Sequence, residues 1–366
     1  MLLGILKESG DQRVAIVPAV AKKMIKAGHA VMVEAGAGVK ASFSDESYAE
    51  AGAQVVDRDT LKAQANLLVA VNGLPQEELS ELKEGQAIVA VFHTRANPTL
   101  VEWAKSTNLR AFSLDLIPRT SIAQSMDILS SMASLAGYKA VLVAADTMPG
   151  YFPMLMTAAG TIPPAKVLIL GAGVAGLQAI ATARRLGAVV EAFDVRSAVK
   201  QEVESLGAKF VEVEGAQESQ AAGGYAVEQT EDYKRKQGEL IQAHAIKSDV
   251  VITTANIPGR EAPKLIEAAT VEQMRDGSVI VDLAAGTGGN CVLTEAGQNV
   301  EKHGVHLIGK TDFPSEMARD ASILFGNNVW NYLQHIMPEG LESLDFSNSI
   351  TAATYLGQVP EVAAAE

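Results

Sequence analysis

The sequence predicts an α/β protein with two doubly wound parallel sheets joined by long helices. Three observations predict this class. The length of 366 residues suits two domains, short apolar runs alternate with amphipathic stretches in both halves, and a glycine-rich turn separates a strand from a helix in the second half. The composition agrees, because 48% hydrophobic and 20% charged residues are typical of a globular chain and exclude extensive disorder.

The charge and the cysteine content restrict the partners of the chain. A net charge of −13 disfavours nucleic acid and anionic membrane surfaces, because both are polyanions. The one cysteine, Cys291, excludes an internal disulfide and a cysteine-based zinc site, and we expect its thiol to be buried and unreactive. His303 and His306 lie in a strand-like pattern, so we expect no metal site there. The N-terminus lacks the features of a signal peptide, which predicts a cytoplasmic chain.

The first half of the chain has the alternation of strand and helix that builds a parallel sheet. Its near-continuous apolar runs are typical of strands that are buried on both faces. The clearest helix is Pro18–Gly28, where Pro18 suits the first helical position and Gly28 suits the C-terminal cap. The predicted strands are Leu2–Leu6, Ala30–Glu34, Asn66–Val71, Ala87–Phe92 and Leu109–Leu114.

A long helix is predicted to bridge the two domains, since apolar residues recur at helical spacing from Ser121 to Ala145. The uncharged stretch Thr147–Ala165 is interrupted by prolines and glycines and is predicted to be a linker. The last helix, Ser315–His335, is expected to pack on the first domain. We therefore predict an N-terminal domain of residues 1–127 plus 318–366 and a second domain of residues 128–317. The second domain is predicted to contain strands Lys166–Leu170, Val189–Phe193, Lys209–Val213, Val250–Thr253 and Ser278–Asp282, helices Val174–Leu186 and Ser197–Leu206, and a charged helix ending near His244.

The strongest functional signal is the sequence Gly171-Ala172-Gly173-Val174-Ala175-Gly176, which follows an apolar strand and opens a helix. In a Rossmann-like domain the first glycine permits a tight turn, the second lets the backbone approach a pyrophosphate, and the third allows close helix–strand packing. A glycine turn without a ligand is the alternative. The flanking strand and helix, together with a correctly spaced acidic residue, favour dinucleotide binding.

That acidic residue is Asp194, which ends the next strand about 20 residues beyond the motif. A carboxylate there accepts hydrogen bonds from ribose hydroxyls and repels a 2′-phosphate, so it favours NAD(H) over NADP(H). Val195 and Arg196 follow it, and an arginine in this place can instead accommodate the 2′-phosphate. NAD(H) is the preferred prediction, and NADP(H) stays open on this feature alone.

A second group of polar residues lies where the bridging helix is predicted to begin. Arg119, Gln124, Asp127 and Ser130 extend over a loop and the first helical turns, with Asp127 and Ser130 on one face. Taken alone, the segment also suits a helix capped by Ser121 with Asp127 as a surface acid. The residue types by themselves do not decide between these interpretations.

Several motifs resemble the NAD(H)-binding component of proton-translocating nicotinamide nucleotide transhydrogenases, within the alanine dehydrogenase/transhydrogenase superfamily. The resemblance covers nearly the whole chain. It rests on Arg119–Ser131, on the glycine motif continued to Ala183, and on Ala222–Ala226, Thr253–Ala255, Ile257–Gly259 and Gly288–Cys291.

The resemblance implies a reaction and a set of partners. Members of this family form homodimers, bind NAD(H), and dock onto an NADP(H)-binding domain carried by membrane-spanning partner segments. Hydride passes directly between the two nicotinamides, and elsewhere in the complex this transfer is coupled to proton translocation. The resemblance therefore implies that this chain binds NAD(H), leaves NADP(H) to the partner domain, has no membrane span, and lies in the cytoplasm at the inner face of the cytoplasmic membrane.

The resemblance also assigns roles to residues. Arg119 would hold a pyrophosphate or carboxamide, Gln124 would reach toward the neighbouring dinucleotide, and Asp127 with Ser130 would orient the carboxamide. Hydride transfer between nicotinamides needs positioning and no general acid or base. Asn256 stands where the family has a leucine, so a backbone contact is expected from it. The other positions that correspond to NAD(H) contacts are Gln237 and, in a stretch expected to form a mobile lid (Glu214–Gln229), Gly224 and Tyr225.

Two alternatives belong to other functional classes. An alanine dehydrogenase-like oxidoreductase would handle substrate protons, and Arg13 and His93 correspond to its substrate-binding arginine and catalytic histidine. However, Ala70 and Gly286 stand in place of its lysine and its aspartate. A non-catalytic NAD-binding module would share the fold and the glycine motif, because a fold does not imply a function.

Overall fold

The computed structural model describes most of the chain, namely residues 1–212, 231–256 and 259–359. The predicted lid, with Gly224 and Tyr225, lies outside the described residues. The chain divides into two compact units, the first formed by Met1–Met132 with Pro314–Glu366 and the second by Ala133–Phe313. The α/β class with parallel sheets is confirmed.

The first unit contains the strands β1 (Leu2–Ile5), β2 (Ala30–Glu34), β3 (Gln54–Val56), β4 (Leu67–Asn72), β5 (Ala87–Val91) and β6 (Ala111–Ser113). They form one parallel sheet in the order β3-β2-β1-β4-β5-β6, which is a common doubly wound order. Five of these strands are predicted from the sequence. The edge strand β3 is not predicted, because it has three residues and no fully buried side chain.

The helices that follow these strands are α1 (Pro18–Lys26), α2 (Asp45–Glu50), α3 (Arg58–Gln64), α4 (Gln76–Ser80), α5 (Pro98–Ser106) and α6 (Ile128–Thr147). Pro18 begins α1 as predicted, and Val20, Ala21 and Met24 form its buried face. Asp57 caps α3 by accepting a hydrogen bond from the Thr60 backbone N–H.

The predicted start of the bridging helix at Ser121 is wrong, because α6 begins at Ile128. The residues before it form turns and a short 3₁₀ helix, Gln124–Met126. Ala123 and Met126 are buried three residues apart, a spacing that a 3₁₀ turn and an α-helix share. Apolar periodicity therefore cannot separate the turn from the helix.

The predicted linker after α6 contains a hairpin. Its strands are β7 (Leu155–Thr157) and β8 (Gly160–Ile162), which pair in antiparallel register. The prolines and Gly150 flank these short strands and Gly160 begins β8 next to the turn, so the residues that predict a linker are compatible with both structures.

The second unit contains β9 (Lys166–Leu170), β10 (Val189–Phe193), β11 (Lys209–Phe210), β12 (Val250–Thr253), β13 (Val279–Asp282), β14 (Asn299–Lys302) and β15 (Val305–Ile308). The sheet order is β11-β10-β9-β12-β13-β15-β14, and all pairs are parallel except that of β14 with β15. The chain reverses the direction of winding between β9 and β12. In doubly wound sheets ligands bind beyond the carboxyl ends of the strands at this point.

The remaining helices are α7 (Val174–Arg185), α8 (Lys200–Ser205), α9 (Glu231–Ala245), α10 (Ala268–Val271), α11 (Phe313–Glu316), α12 (Ala318–Ile336) and α13 (Ser349–Thr354). The predicted last helix is thus divided into α11 and α12. Phe325, Val329 and Leu333 of α12 belong to the core of the first unit. The chain returns to the first unit within the short α11.

Candidate functional site

The glycine-rich turn between β9 and α7 leaves no space for side chains at two of its three glycines. Gly171 has a φ of +101°, in the left-handed region that favours glycine, and a Cβ there would lie 2.5 Å from Thr254 Oγ1. A Cβ at Gly176 would overlap the carbonyl oxygen of Gly171. Gly173 differs, because nothing lies within 4 Å of its Cβ position. The turn is therefore open at Gly173, where an anionic group could approach the backbone.

Helix α7 begins at this open side of the turn. Gly173 is the N-cap, and Val174 follows as a first helical residue that is 45% exposed. The first N–H groups of a helix lack intrahelical partners and lie at the positive end of its dipole, so they suit a pyrophosphate. A Cβ at Gly137 of α6 would overlap the carbonyl oxygen of Ala175. This close approach holds the start of α7 in place.

Asp194 follows β10 and lies beside the glycine turn. Its Oδ2 accepts hydrogen bonds from Ala172 N at 2.8 Å and from Arg196 Nη2 at 2.9 Å. Its Oδ1 accepts from Arg196 N and from Arg196 Nε, both at 2.9 Å. These bonds raise the pKa of the Arg196 guanidinium. Val195, between them, is half-buried. Because two donors already lie on each carboxylate oxygen, ribose hydroxyls could bind Asp194 only by displacing the Arg196 side chain.

The loop that follows β12 contacts the glycine turn. Thr254 Oγ1 donates a hydrogen bond to Gly171 O at 3.0 Å. From the other side, Asn290 Oδ1 accepts from Ala255 N at 3.1 Å, and Asn290 Nδ2 donates to Ala255 O at 2.8 Å. Asn290 therefore fixes both polar backbone groups of Ala255. The sequence indicates the motif that contains Asn290 but not this role.

Asp282 is a fully buried carboxylate at the end of β13 that sequence reasoning misses. It accepts hydrogen bonds from Thr253 Oγ1 at 2.9 Å and from the backbone N–H groups of Ala284, Asn290 and Cys291 at 3.1, 2.8 and 3.0 Å. These bonds fold the loop that carries Asn290. In the sequence, the feature that could have indicated Asp282 is an acidic residue at the end of an apolar strand. Cys291 is buried, as expected, and burial raises the pKa of its thiol.

In the first unit, a cleft of about 300 Å³ brings together the four polar residues of the helix-start segment. Asp127 Oδ1 accepts from Ser130 N at 2.9 Å, and its Oδ2 accepts from Ser130 Oγ at 2.6 Å. Asp127 is therefore the cap of α6 and is not a residue on its surface. Arg119 and Gln124 are exposed. The cleft is lined by Pro118, Arg119, Thr120, Ser121, Ala123, Gln124, Asp127 and Ser130.

Gln237 and Asn256 are the other predicted nucleotide contacts that the structure describes. Gln237 is half-exposed on α9. Asn256 is exposed in the loop after β12, and its Oδ1 accepts a hydrogen bond from Thr287 Oγ1 at 3.3 Å. Within the described ranges, no group of three His, Cys, Asp or Glu residues is placed to hold a metal ion.

Most of the positions that correspond to alanine dehydrogenase chemistry lie in loops. Arg13 forms an ion pair with Asp11 through Nη2 and Oδ2 at 2.5 Å. His93 is exposed after β5 with a φ of +49°, and Gly286 lies in a 3₁₀ turn of the loop after β13. Ala70 differs, because it is buried inside β4.

These features define a two-unit α/β protein of the pyridine-nucleotide oxidoreductase class. More narrowly, the chain belongs to the alanine dehydrogenase/PNT family. The model of the N-terminal domain of that family matches residues 4–136, and the model of its C-terminal domain matches residues 140–362.

Individual relatives extend this assignment. The chain is 47% identical over 345 residues to the first portion of NAD(P) transhydrogenase subunit alpha of Rhodospirillum rubrum, covering 91% of this chain and 89% of that protein. It is 42% identical to NAD(P) transhydrogenase subunit alpha of Haemophilus influenzae, covering 96% and 69%. Among solved structures, transhydrogenase from Sinorhizobium meliloti has a TM-score of 0.89 at 41% identity, with 98% of each chain covered. An L-alanine dehydrogenase has a TM-score of 0.80 at 27% identity, covering 97% and 94%.

Proposed function

We propose that this chain is the NAD(H)-binding component of a proton-translocating transhydrogenase. The observation that carries the proposal is the 47% identity, over nine-tenths of both chains, to a protein named as a portion of transhydrogenase subunit alpha. The substitutions at Ala70 and Gly286 support it, because a methyl group and a hydrogen cannot replace the ammonium and carboxylate groups of an alanine dehydrogenase.

The second unit would hold NAD(H) at the glycine turn. The open approach at Gly173 and the N-terminus of α7 suit the pyrophosphate, and Asp194 suits the ribose diol. Displacing the Arg196 side chain from Asp194 would leave a carboxylate that repels a 2′-phosphate. The positive charge of the Arg196 guanidinium would attract a 2′-phosphate and offset part of this repulsion. The proposed preference for NAD(H) therefore depends on the carboxylate of Asp194.

The cleft in the first unit would contribute the polar groups around the nicotinamide. The nicotinamide supplies the hydride chemistry, and the protein has to orient it. Asp127 is held by Ser130, so this pair presents a fixed carboxylate and hydroxyl that suit a carboxamide. Arg119 adds a positive charge, and Gln124 is exposed, as a side chain that reaches toward a second dinucleotide must be.

The assembly would contain a second copy of this chain and partner subunits that carry the NADP(H)-binding domain and the membrane spans. Of the described helices, only α6 is long and apolar enough to span a membrane, and only 28% of its apolar stretch is buried. Ile128 and Ala140 of α6 pack into the buried cores of the two units. We therefore expect the rest of the apolar stretch of α6 to be covered by another protein chain and not by a membrane. Met154 and Met156 of the hairpin segment are 58% and 73% exposed, so they also suit an interface with another protein chain. The chain would lie in the cytoplasm at the inner face of the cytoplasmic membrane.

Mixing the chain with the NADP(H)-binding domain of a transhydrogenase tests the proposal. Reduction of an acetylpyridine analogue of NAD⁺ by NADPH is expected, and Gln124→Ala should slow it by roughly tenfold or more because one positioning contact is lost. Gln64→Ala, an exposed glutamine at the end of α3, is the control and should leave the rate unchanged.

Other outcomes would support the alternatives. NADH oxidation that depends on pyruvate and ammonia would assign the chain to alanine dehydrogenase chemistry. Binding of NADH without hydride exchange would favour a non-catalytic module.

A further inference from the structure

Two asparagines of α12 hold the turn that carries Gln124. Asn328 Nδ2 donates a hydrogen bond to Ser125 O at 2.8 Å, and Asn331 Nδ2 donates to the same oxygen at 3.0 Å. The two amides are three residues apart and therefore share one face of the helix. One backbone carbonyl, adjacent to Gln124 in sequence, thus accepts two side-chain hydrogen bonds from an element about 200 residues away.

The turn is also fixed by packing and by its own backbone bonds. Ala123 and Met126 are buried in the core that includes Phe325 and Val329 of α12. Met126 N donates to Ala123 O at 2.9 Å, and Asp127 N donates to Gln124 O at 3.4 Å. Ala123 and Met126, which lie on either side of Gln124 in sequence, point into this core, and the Gln124 side chain is exposed. Any displacement of the Ser125 peptide would therefore move Gln124 and the Asp127 cap together.

Judged by folding stability alone, Asn328 is an unfavourable residue at its position. It is 8% exposed, and its Oδ1 has no hydrogen-bond partner among the described residues. A buried acceptor without a partner destabilises the folded state, because it loses its hydrogen bonds to water and gains none in return. An apolar side chain would avoid this cost in a helix face that otherwise contacts a hydrophobic core. What the amide adds is a donor directed at Ser125 O.

We propose that Asn328 and Asn331 are positioning residues for hydride transfer, which act by holding the Ser125 carbonyl and thereby the direction of Gln124. The proposal rests on the proposed function of this chain. Neither asparagine lines the cleft, so each would act through the turn and not by touching nucleotide. Losing the pair should reduce the rate of the chemical step more than nucleotide affinity, because a small misplacement of a positioning group strongly slows the reaction.

Asn327 provides a matched control on the same helix. Its Nδ2 donates to Ile323 O at 2.8 Å and its Oδ1 accepts from Lys23 Nζ at 2.9 Å, so it contacts the helix and α1 and not the turn. The variants are Asn328→Ala with Asn331→Ala, Asn331→Ala alone, and Asn327→Ala, each in the full chain. Melting temperature and circular dichroism show whether each variant is folded.

Two measurements test the proposal. At saturating nucleotides with the NADP(H)-binding domain of a transhydrogenase, the double variant should transfer hydride roughly tenfold more slowly, while the Kd for NADH changes by less than about twofold. Hydrogen exchange at the Met126 and Asp127 amides should be faster in the double variant than in the wild type. Asn327→Ala should match the wild type in both measurements.

Wild-type hydride-transfer and exchange rates in a folded double variant would overturn the proposal, as would equal losses in Asn327→Ala. If the double variant does not fold, Asn331→Ala alone still decides, since unchanged amide exchange would contradict the role. If the wild type itself transfers no hydride, the proposed function fails, and the exchange experiment still tests whether the asparagines hold the turn.

Discussion

At the scale of single residues, key carboxylates in this protein are engaged by neighbours before any ligand binds. Asp194 accepts a hydrogen bond from Ala172 N and three from Arg196. Asp282 is satisfied by one hydroxyl and three backbone N–H groups. The first carboxylate faces a candidate ligand site and the second is fully buried. Substitutions at the two should therefore affect binding and folding, respectively.

Replacing Asp194 is expected to change nucleotide preference. Asp194→Ala removes the ribose acceptor and releases Arg196, so NADH affinity should fall by roughly tenfold or more while NADPH affinity falls less or rises. Calorimetric titration with both nucleotides measures this. Glu191→Gln is the control, because Glu191 lies on β10, the strand just before Asp194, but pairs with His244 and Lys209. An unchanged NADH to NADPH ratio in Asp194→Ala would remove Asp194 from the site.

The ion pair at Asp11 should make stability depend on pH. Burial opposes ionisation of Asp11, but hydrogen bonds and charge from Arg13 outweigh it and lower the pKa of the carboxyl well below its usual 3.8. The folded state therefore gains stability above about pH 4 and loses it as the pH falls. Asp11→Asn should cost about 2 kcal/mol at pH 7 and progressively less below pH 4, measured as urea midpoints. A difference that is independent of pH, or equal to that of the exposed Glu50→Gln, would contradict this.

At the scale of elements, the start of α6 combines a structural and a functional role in one residue. Asp127 caps the helix through Ser130 and also lines the cleft. A helix of 20 residues that begins in one unit and continues in the other depends on a defined start. The cap therefore sets both where the helix begins and where the carboxylate lies.

Variants at Asp127 can separate the two roles. Asp127→Ala should lower the free energy of unfolding by about 1 kcal/mol through loss of the cap, whereas Asp127→Asn should keep most of the stability because asparagine caps equally well. Both should slow hydride transfer, since each removes the charge. Asp57→Ala removes the matching cap of α3 and should cost similar stability without slowing the transfer. Normal rates in Asp127→Asn would show that the carboxylate is a cap alone.

At the scale of the whole molecule, apolar surface on the second unit indicates a further protein neighbour. The hairpin of β7 and β8 contains exposed Met156 and Ile162, and Tyr138 of α6 is 37% exposed. Exposed apolar surface of this kind typically becomes an interface. We propose that this neighbour is a second copy of the chain.

Charge in the hairpin should therefore weaken self-association. Met156→Glu is expected to shift the protein from dimer toward monomer in sedimentation experiments at micromolar concentration, because a buried unpaired carboxylate is costly. Val39→Glu, which changes a side chain that is 60% exposed in the first unit, should leave the mass unchanged. A monomeric wild type, or a dimer unaffected by Met156→Glu, would exclude the hairpin from such an interface.

Local sequence was sufficient for the α/β class, the strands with continuous apolar runs, and the strand–turn–helix at Gly171, since each depends on local periodicity or on backbone conformations that only glycine adopts readily. Folding in three dimensions was needed to show that Ser121–Asp127 forms turns and a 3₁₀ helix before α6. It was also needed to show that the Arg196 side chain donates hydrogen bonds to Asp194, and that Asn328 and Asn331 hold the Ser125 carbonyl. These features depend on which groups, sometimes about 200 residues apart, meet in a packed core and must satisfy one another's hydrogen bonds, and no local pattern encodes that meeting.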